Sequence, residues 1–307
     1  MTMKDDGLTI STNNLRECRF YWRGMLADGF QLPPEPSKSQ DYCRAINSAL
    51  GARFYKDDER RSYIRDMTNS ASTFLVPQKE LEWLNRDQER MCFWIWCCCR
   101  LLANEEFVKG WGNNLNLNLT QGSDPVPYSK LAISEHPKTA KERHQLIIEF
   151  LDRSSMPLET KRTLLEHWKQ CWGEVYSTET YLWLDNNSDE QCEWFASYIT
   201  NNESPIPYPW FIPTPTTTQE RYDACIAAFD IWPTDPSTKK LFIIKMKKAW
   251  SQKKHRLAMK KKNKKSYNFT LSSSTKEMLD KMADNAEVSR NEFLERLIKA
   301  EHSKQAF

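Results

Sequence analysis

The chain has 307 residues, 39% of them hydrophobic and 12% aromatic, with a formal net charge of +3. That apolar content excludes global disorder, and the length suits about two domains. Only 8 glycines occur, with no G-x-G-x-x-G and no G-x-x-x-x-G-K-[ST] among them, which excludes the glycine-rich phosphate loops; abundant Leu, Lys, Glu and Trp predict a mainly α protein.

The N-terminal stretch MTMKDDGLTISTNNLRE has no apolar run and no small-residue cleavage site, so no secretory signal is expected, and residues 1–14 read as loosely ordered. Candidate helices follow over DYCRAINSALGARFY and DDERRSYIRDM, after a break at PPEP (33–36). Gln78 to Trp111 has the length of one long buried helix or a kinked pair, and its greasiest stretch, Met91 to Leu102, is too short to span a bilayer and contains Arg100. A polar loop (112–128) leads to KTAKERHQLIIEFLDRSS, where Leu146, Ile147, Phe150 and Leu151 recur at helical spacing. PLETKRTLLEHWKQCW and SDEQCEWFASYI read as two further helices. The stretch SPIPYPWFIPTPTTT (204–218) holds five prolines and cannot be helical; it marks a boundary or a stiff strap. After it come QERYDACIAAFDIW and a long basic helix opened by Pro236. The predicted organisation is a helical body (1–203), a Pro-rich loop (204–218), a helical segment ending in the basic helix (219–265) and a small terminal module (266–307).

Nine cysteines occur, at 18, 43, 92, 97, 98, 99, 171, 192 and 225, without a C-x-x-C pair. No histidine is read as standing at metal-ligand spacing from a cysteine. No metal and no cofactor are therefore expected, and the thiols read as reduced and buried. No G-x-S-x-G, H-E-x-x-H or nuclease-like acidic cluster is found, so no enzyme is expected.

The net charge hides its distribution. From Lys239 to Lys265 the chain carries twelve lysines and Arg256 with no acid. That segment holds +13, residues 1–238 about −9 and residues 266–307 about −1. An acidic body joined to a basic contact element predicts a polyanionic partner. Ser266 to Leu271 then alternates: Tyr267, Phe269 and Leu271 on one face, Ser266, Asn268 and Thr270 on the other, the period of a half-buried strand. Ser274-Thr275-Lys276-Glu277 reads as a capping box that starts a helix with Met278, Leu279, Met282 and Ala283 on one stripe. Ser289-Arg290-Asn291-Glu292 reads as a second box, ahead of Phe293, Leu294, Leu297 and Ile298. So small a unit cannot bury its stripes alone, which predicts pairing with a second copy.

The order basic segment, alternating strand, helix, turn, helix resembles the ribbon-helix-helix family of dimeric DNA-binding proteins, and most of all its members that organise chromosomal macrodomains. The likeness covers residues 236–300. It implies a mainly α protein with a C-terminal β-α-α module, in which a two-stranded ribbon reads bases in the major groove through Ser266, Asn268 and Thr270. It implies phosphate contacts from Ser289, Arg290 and Asn291 at a helix start, and a dimer core of Tyr267, Phe269, Leu271, Leu279, Met282, Phe293, Leu294 and Leu297. Lys247, Lys248, Lys253, Lys254, His255, Arg256, Lys260, Lys261, Lys262, Lys264 and Lys265 are expected on flanking phosphates. The family usually has glycine in the inter-helix turn, where this chain has Glu287. The expected function is sequence-specific double-stranded DNA binding as a homodimer, in chromosome, plasmid or phage DNA organisation or in transcription regulation, at a cytoplasmic, nucleoid-associated location. The alternative is an adaptor or antitoxin-like regulator whose helical body binds a partner protein.

Overall fold

A computed structural model describes residues 7–103, 127–176, 181–201, 204–206, 208–261 and 268–305. Two compact units divide the chain, Met1–Lys247 and Lys248–Phe307. Among the described residues every regular element is helical.

The first unit opens with α1 (Leu15–Ala27), α2 (Ser39–Arg53) and α3 (Asp57–Phe74). Asn14 caps α1 by accepting from the Arg16 N–H at 3.0 Å, and Gly29, at φ 77°, lets Phe30 fold back to donate to the Met25 carbonyl at 2.9 Å. Cys18, Trp22, Met25, Tyr42, Ile46, Leu50 and Met67 form one core. The described part of the segment before α1, residues 7–14, is pinned rather than loose: Asn47 holds both backbone groups of the buried Ile10, at 2.8 and 2.9 Å; residues 1–6 lie outside the described residues.

A second core surrounds α5 (Glu89–Leu101), separated from the short α4 (Gln78–Leu81) by turns, so the kinked-pair expectation holds over the described part of this stretch. Every residue of α5 from Met91 to Cys99 is buried, as a helix requires when its neighbours cover it all round. Those neighbours include α6 (Ala140–Arg153) and α9 (Thr218–Ile231). The core they share with α7 (Leu158–Tyr176) includes Trp94, Trp96, Phe150, Leu164 and Trp168. A third cluster joins α8 (Asp189–Thr200), α9 and the start of α10 (Pro236–Lys261) through Phe195, Ile199, Ile226, Phe229, Ile243 and Met246. The proline-rich stretch is a strap: Ile206 enters the third cluster, and Phe211 and Ile212 enter the second. All nine cysteines are free; seven are buried, Cys43 and Cys171 half-buried.

The second unit holds the end of α10, then α11 (Ser273–Asn285) and α12 (Arg290–Gln305), which pack on each other. Within α11 and α12, Leu279 and Ala283 are the only buried apolar residues among those described; in the end of α10 Trp250 is buried as well. Between the helices the Val288 N–H bonds the Ala283 carbonyl and the Glu287 N–H bonds the Asp284 carbonyl, both at 3.1 Å, with Glu287 at φ 53°. This is the left-handed helix stop that glycine normally serves, here made by a glutamate.

One sequence expectation is overturned. Residues 268–271 form no strand, and no strand occurs among the described residues, so the β-α-α ribbon module is absent. Phe269 and Leu271 are 69% and 45% exposed instead of half-buried. A strand exists through its hydrogen-bonded neighbour, and among the described residues no segment pairs with residues 268–271. The first capping box is also displaced: Ser272, not Ser274, caps α11, accepting from the Thr275 N–H at 3.2 Å.

Candidate nucleic-acid interface

The basic segment begins inside the first unit. Asp235 opens α10, accepting from Thr238 Oγ1 at 2.5 Å, from Ser237 Oγ at 2.7 Å and from the Thr238 N–H at 3.0 Å; these bonds, the Thr238 hydroxyl's first, hold its carboxyl below the usual range. Lys239, the first lysine, is turned inward. Its Nζ donates to the Asp230 carbonyl at 2.9 Å, and burial lowers its pKa. It is therefore spent on the body.

From Lys240 onward the situation changes. Phe242, Ile243, Met246 and Trp250 form the covered stripe of α10, while Lys240, Lys245, Lys247, Lys248, Lys254, His255, Arg256, Lys260 and Lys261 are exposed and Lys253 is half-exposed. Lys240, Lys247, Lys254 and Lys261 recur every seven residues, which is two helical turns and keeps them on one side. None of the lysines from 240 to 261, nor Arg256, forms an ion pair among the described residues. Several arginines of the body behave oppositely: Arg16 with Asp152, Arg90 with Asp230 and Arg162 with Glu80 are all paired at 2.9 Å or less. Two of the lysine ammonium groups lie over tryptophan rings, Lys247 on Trp183 at 5.9 Å and Lys253 on Trp250 at 5.8 Å, which orients them without neutralising them. Lys262, Lys264 and Lys265 lie outside the described residues.

The residues expected to read bases fare differently. Ser266 lies outside the described residues, as does Tyr267, while Asn268 and Thr270 are exposed on a segment without regular structure. At the start of α12, Ser289 accepts from the Glu292 N–H at 3.3 Å, as expected of a cap. Arg290 is ion-paired with Asp280, and Glu292 turns away to Arg296 at 2.7 Å. Ser289 and Asn291 are exposed. Of the expected dimer core, Leu279 is buried and Phe293 and Leu294 are half-buried, while Phe269, Leu271, Met282 and Leu297 are exposed in the single chain.

One constellation escaped the sequence reading. His167 and Cys171, one turn apart on α7, bring Nε2 and Sγ to 3.3 Å. Burial pushes the Cys171 thiol up to about 11 and lowers His167, so both groups are neutral near pH 7, the opposite of an activated nucleophile. Among the described residues no group of three or more His, Cys, Asp or Glu could hold a metal ion, and no helix is long and apolar enough to cross a membrane. The chain matches no protein-family model, no curated protein and no solved structure.

Proposed function

We propose that this protein binds double-stranded DNA through the exposed cations of α10 and the lysine run that follows it. The observation that carries the reading is the +13 segment free of acid, whose described cations beyond Lys239 have no carboxylate partner among the described residues. Cations left unpaired beside an acidic body are supported by a partner that supplies the missing charge. Lys248 to Lys261 alone carries six formal cations over about 21 Å of helix, against a duplex with one phosphate charge per ~1.7 Å. Without a ribbon, affinity rests on phosphates, with Asn268 and Thr270 as exposed groups beside the contact.

We further propose that the protein acts as a dimer of two copies of this chain. The α11–α12 pair leaves Met282, Leu297 and Ile298 at 44%, 41% and 61% exposed with only Leu279 and Ala283 of its described apolar residues buried, an undersized core that a second copy completes.

The test is the affinity for random-sequence duplex as a function of salt. A log–log slope of about −0.9 per phosphate contact is expected, and replacing Lys253, Lys254, Lys260 and Lys261 by Ala lowers its magnitude by up to about 3.6. A slope near zero in the unsubstituted protein overturns the proposal. That result favours a second reading, a protein-binding adaptor, which has one observation behind it: Trp210, on the strap, is 83% exposed, and large exposed tryptophans are typical anchors of protein interfaces.

A further inference from the structure

The first unit contains a second concentration of positive charge, far from α10 in sequence and built differently. A cleft of about 420 Å³ lies where α1, the end of α3, residues 130–131 and the end of α6 meet. Its walls include Phe20 and Phe74, whose rings stack with centroids 6.5 Å apart and planes at 26°. Arg23, Lys130, Asp152 and Arg153 line it too.

The ion pairs around this cleft do not balance. Asp152 is committed to Arg16, accepting two hydrogen bonds at 2.8 and 2.6 Å. Glu149 is shared between Arg19 at 3.3 Å and Arg153 at 3.7 Å. Arg153 further donates through Nη1 to the Leu131 and Ala132 carbonyls at 3.1 and 2.9 Å. That leaves Arg23 without an ion-paired carboxylate among the described residues. Arg23 Nη2 and Arg153 Nε are both buried with no hydrogen-bond partner among the described residues. Burial lowers the Arg23 pKa, and the charge of Arg153 adds to that, while Asp152, Glu149 and Glu35 oppose it. A buried guanidinium donor without an acceptor costs the full desolvation of that group. Both arginines line the cleft, and one anion with several acceptor oxygens can take hydrogen bonds from both guanidiniums once they turn to it.

We propose that this cleft binds a small organic phosphate, with the phosphate held by Arg23 and Arg153 and a flat apolar part against Phe20 and Phe74. The volume is at the lower end of small-ligand sites, which suits a ligand of mononucleotide size. The exposed Lys130 adds charge without being required for the fold. Nucleoside monophosphates combine the two chemistries, an anion for the guanidiniums and a ring system for the aromatic wall. This inference is independent of the DNA reading, since no residue of α10 lines the cleft.

The experiment is calorimetric titration of the full-length protein with inorganic phosphate and with AMP at fixed ionic strength. AMP is expected to bind several-fold tighter than phosphate through the rings. Arg23→Gln is expected to weaken both by about tenfold or more, the scale of a lost charge-assisted bond. The α10 lysines are intact in that variant, so anions bound there are common to both proteins and cancel. Unliganded Arg23→Gln is expected to melt no lower than the unsubstituted protein, because it removes an unpaired buried charge; an arginine with a purely structural role would give a clear drop. Should Arg23→Gln fail to fold, Lys130→Gln is expected to weaken phosphate binding several-fold while leaving the melting temperature unchanged. No saturable binding of either probe at millimolar concentration, or unchanged affinity in the folded Arg23→Gln or in Lys130→Gln, overturns the site. Equal affinity for the two probes overturns its aromatic half.

Discussion

Lys161 on α7 shows how burial alone can make one side chain sensitive to pH. It is fully buried, and its Nζ donates to the Phe74 carbonyl at 2.9 Å. Burial lowers its pKa from the usual 10.5 to about 8; Asp152 opposes the shift, and Arg16 and Arg23 add to it. The unfolded chain therefore holds this proton more firmly than the folded one. Below about pH 8 both states are protonated and the penalty is fully present; between about 8 and 10.5 the folded state releases its proton first, so stability rises with pH across that window. The difference is on the order of 3 kcal/mol. Lys161→Met removes the titration. The expected outcome, from urea unfolding of both proteins across this window, is that the native protein gains about 2–3 kcal/mol more than Lys161→Met between its two ends. Other groups titrate alike in both and drop out. Parallel stability curves would show that Lys161 keeps its ordinary affinity for protons.

Between elements, the body is fastened by ionic joints inside its aromatic cores. Arg90 on α5 holds Asp230 on α9 at 2.7 and 2.9 Å, and Tyr181 donates to the same carboxylate at 2.8 Å. Arg90 also lies over the Tyr181 ring at 4.8 Å. Removing the acid strands a largely buried cation, so Asp230→Ala is expected to destabilise the protein by about 3 kcal/mol, read as a lowered urea midpoint. A loss under about 1 kcal/mol would mean that solvent reaches Arg90 freely. Such joints were invisible in the sequence because their partners stand 140 positions apart. The helices themselves were legible, since Leu146, Ile147, Phe150 and Leu151 on α6 recur at a period that only a helix satisfies. The six-residue alternation at 266–271 was not legible, because a strand is a property of a pair and one sequence shows half of it. The cap of α11 slipped by two residues within a run of three serines, any of which can accept the bond. Of the candidate interface, the lysines were plain as a charge run. Their lack of carboxylate partners needed the fold, as did the meeting of Arg23 and Arg153 at one cleft.

For the whole molecule the governing fact is charge separated along the chain. About −9 over residues 1–238 stands before +13 over the next 27. In the proposed DNA reading the acidic body repels the polyanion and limits indiscriminate binding, while the basic segment attracts it, so net affinity depends on how many basic segments act together. A dimer joined through α11 and α12 presents two. Binding of the second segment is then intramolecular, and both affinity and counterion release rise together. Leu297→Glu places a charge on the exposed apolar face of α12, where a single chain tolerates it and a paired one does not. Sedimentation should give a dimer for the native protein and a monomer for the variant. The salt slope for random duplex should fall to about half in the variant, because each bound unit carries half the phosphate contacts. A native protein that sediments as a monomer overturns the dimer while leaving DNA binding intact. A variant that becomes monomeric yet keeps the full slope shows that one basic segment makes all the contacts, and the coupling between pairing and binding falls.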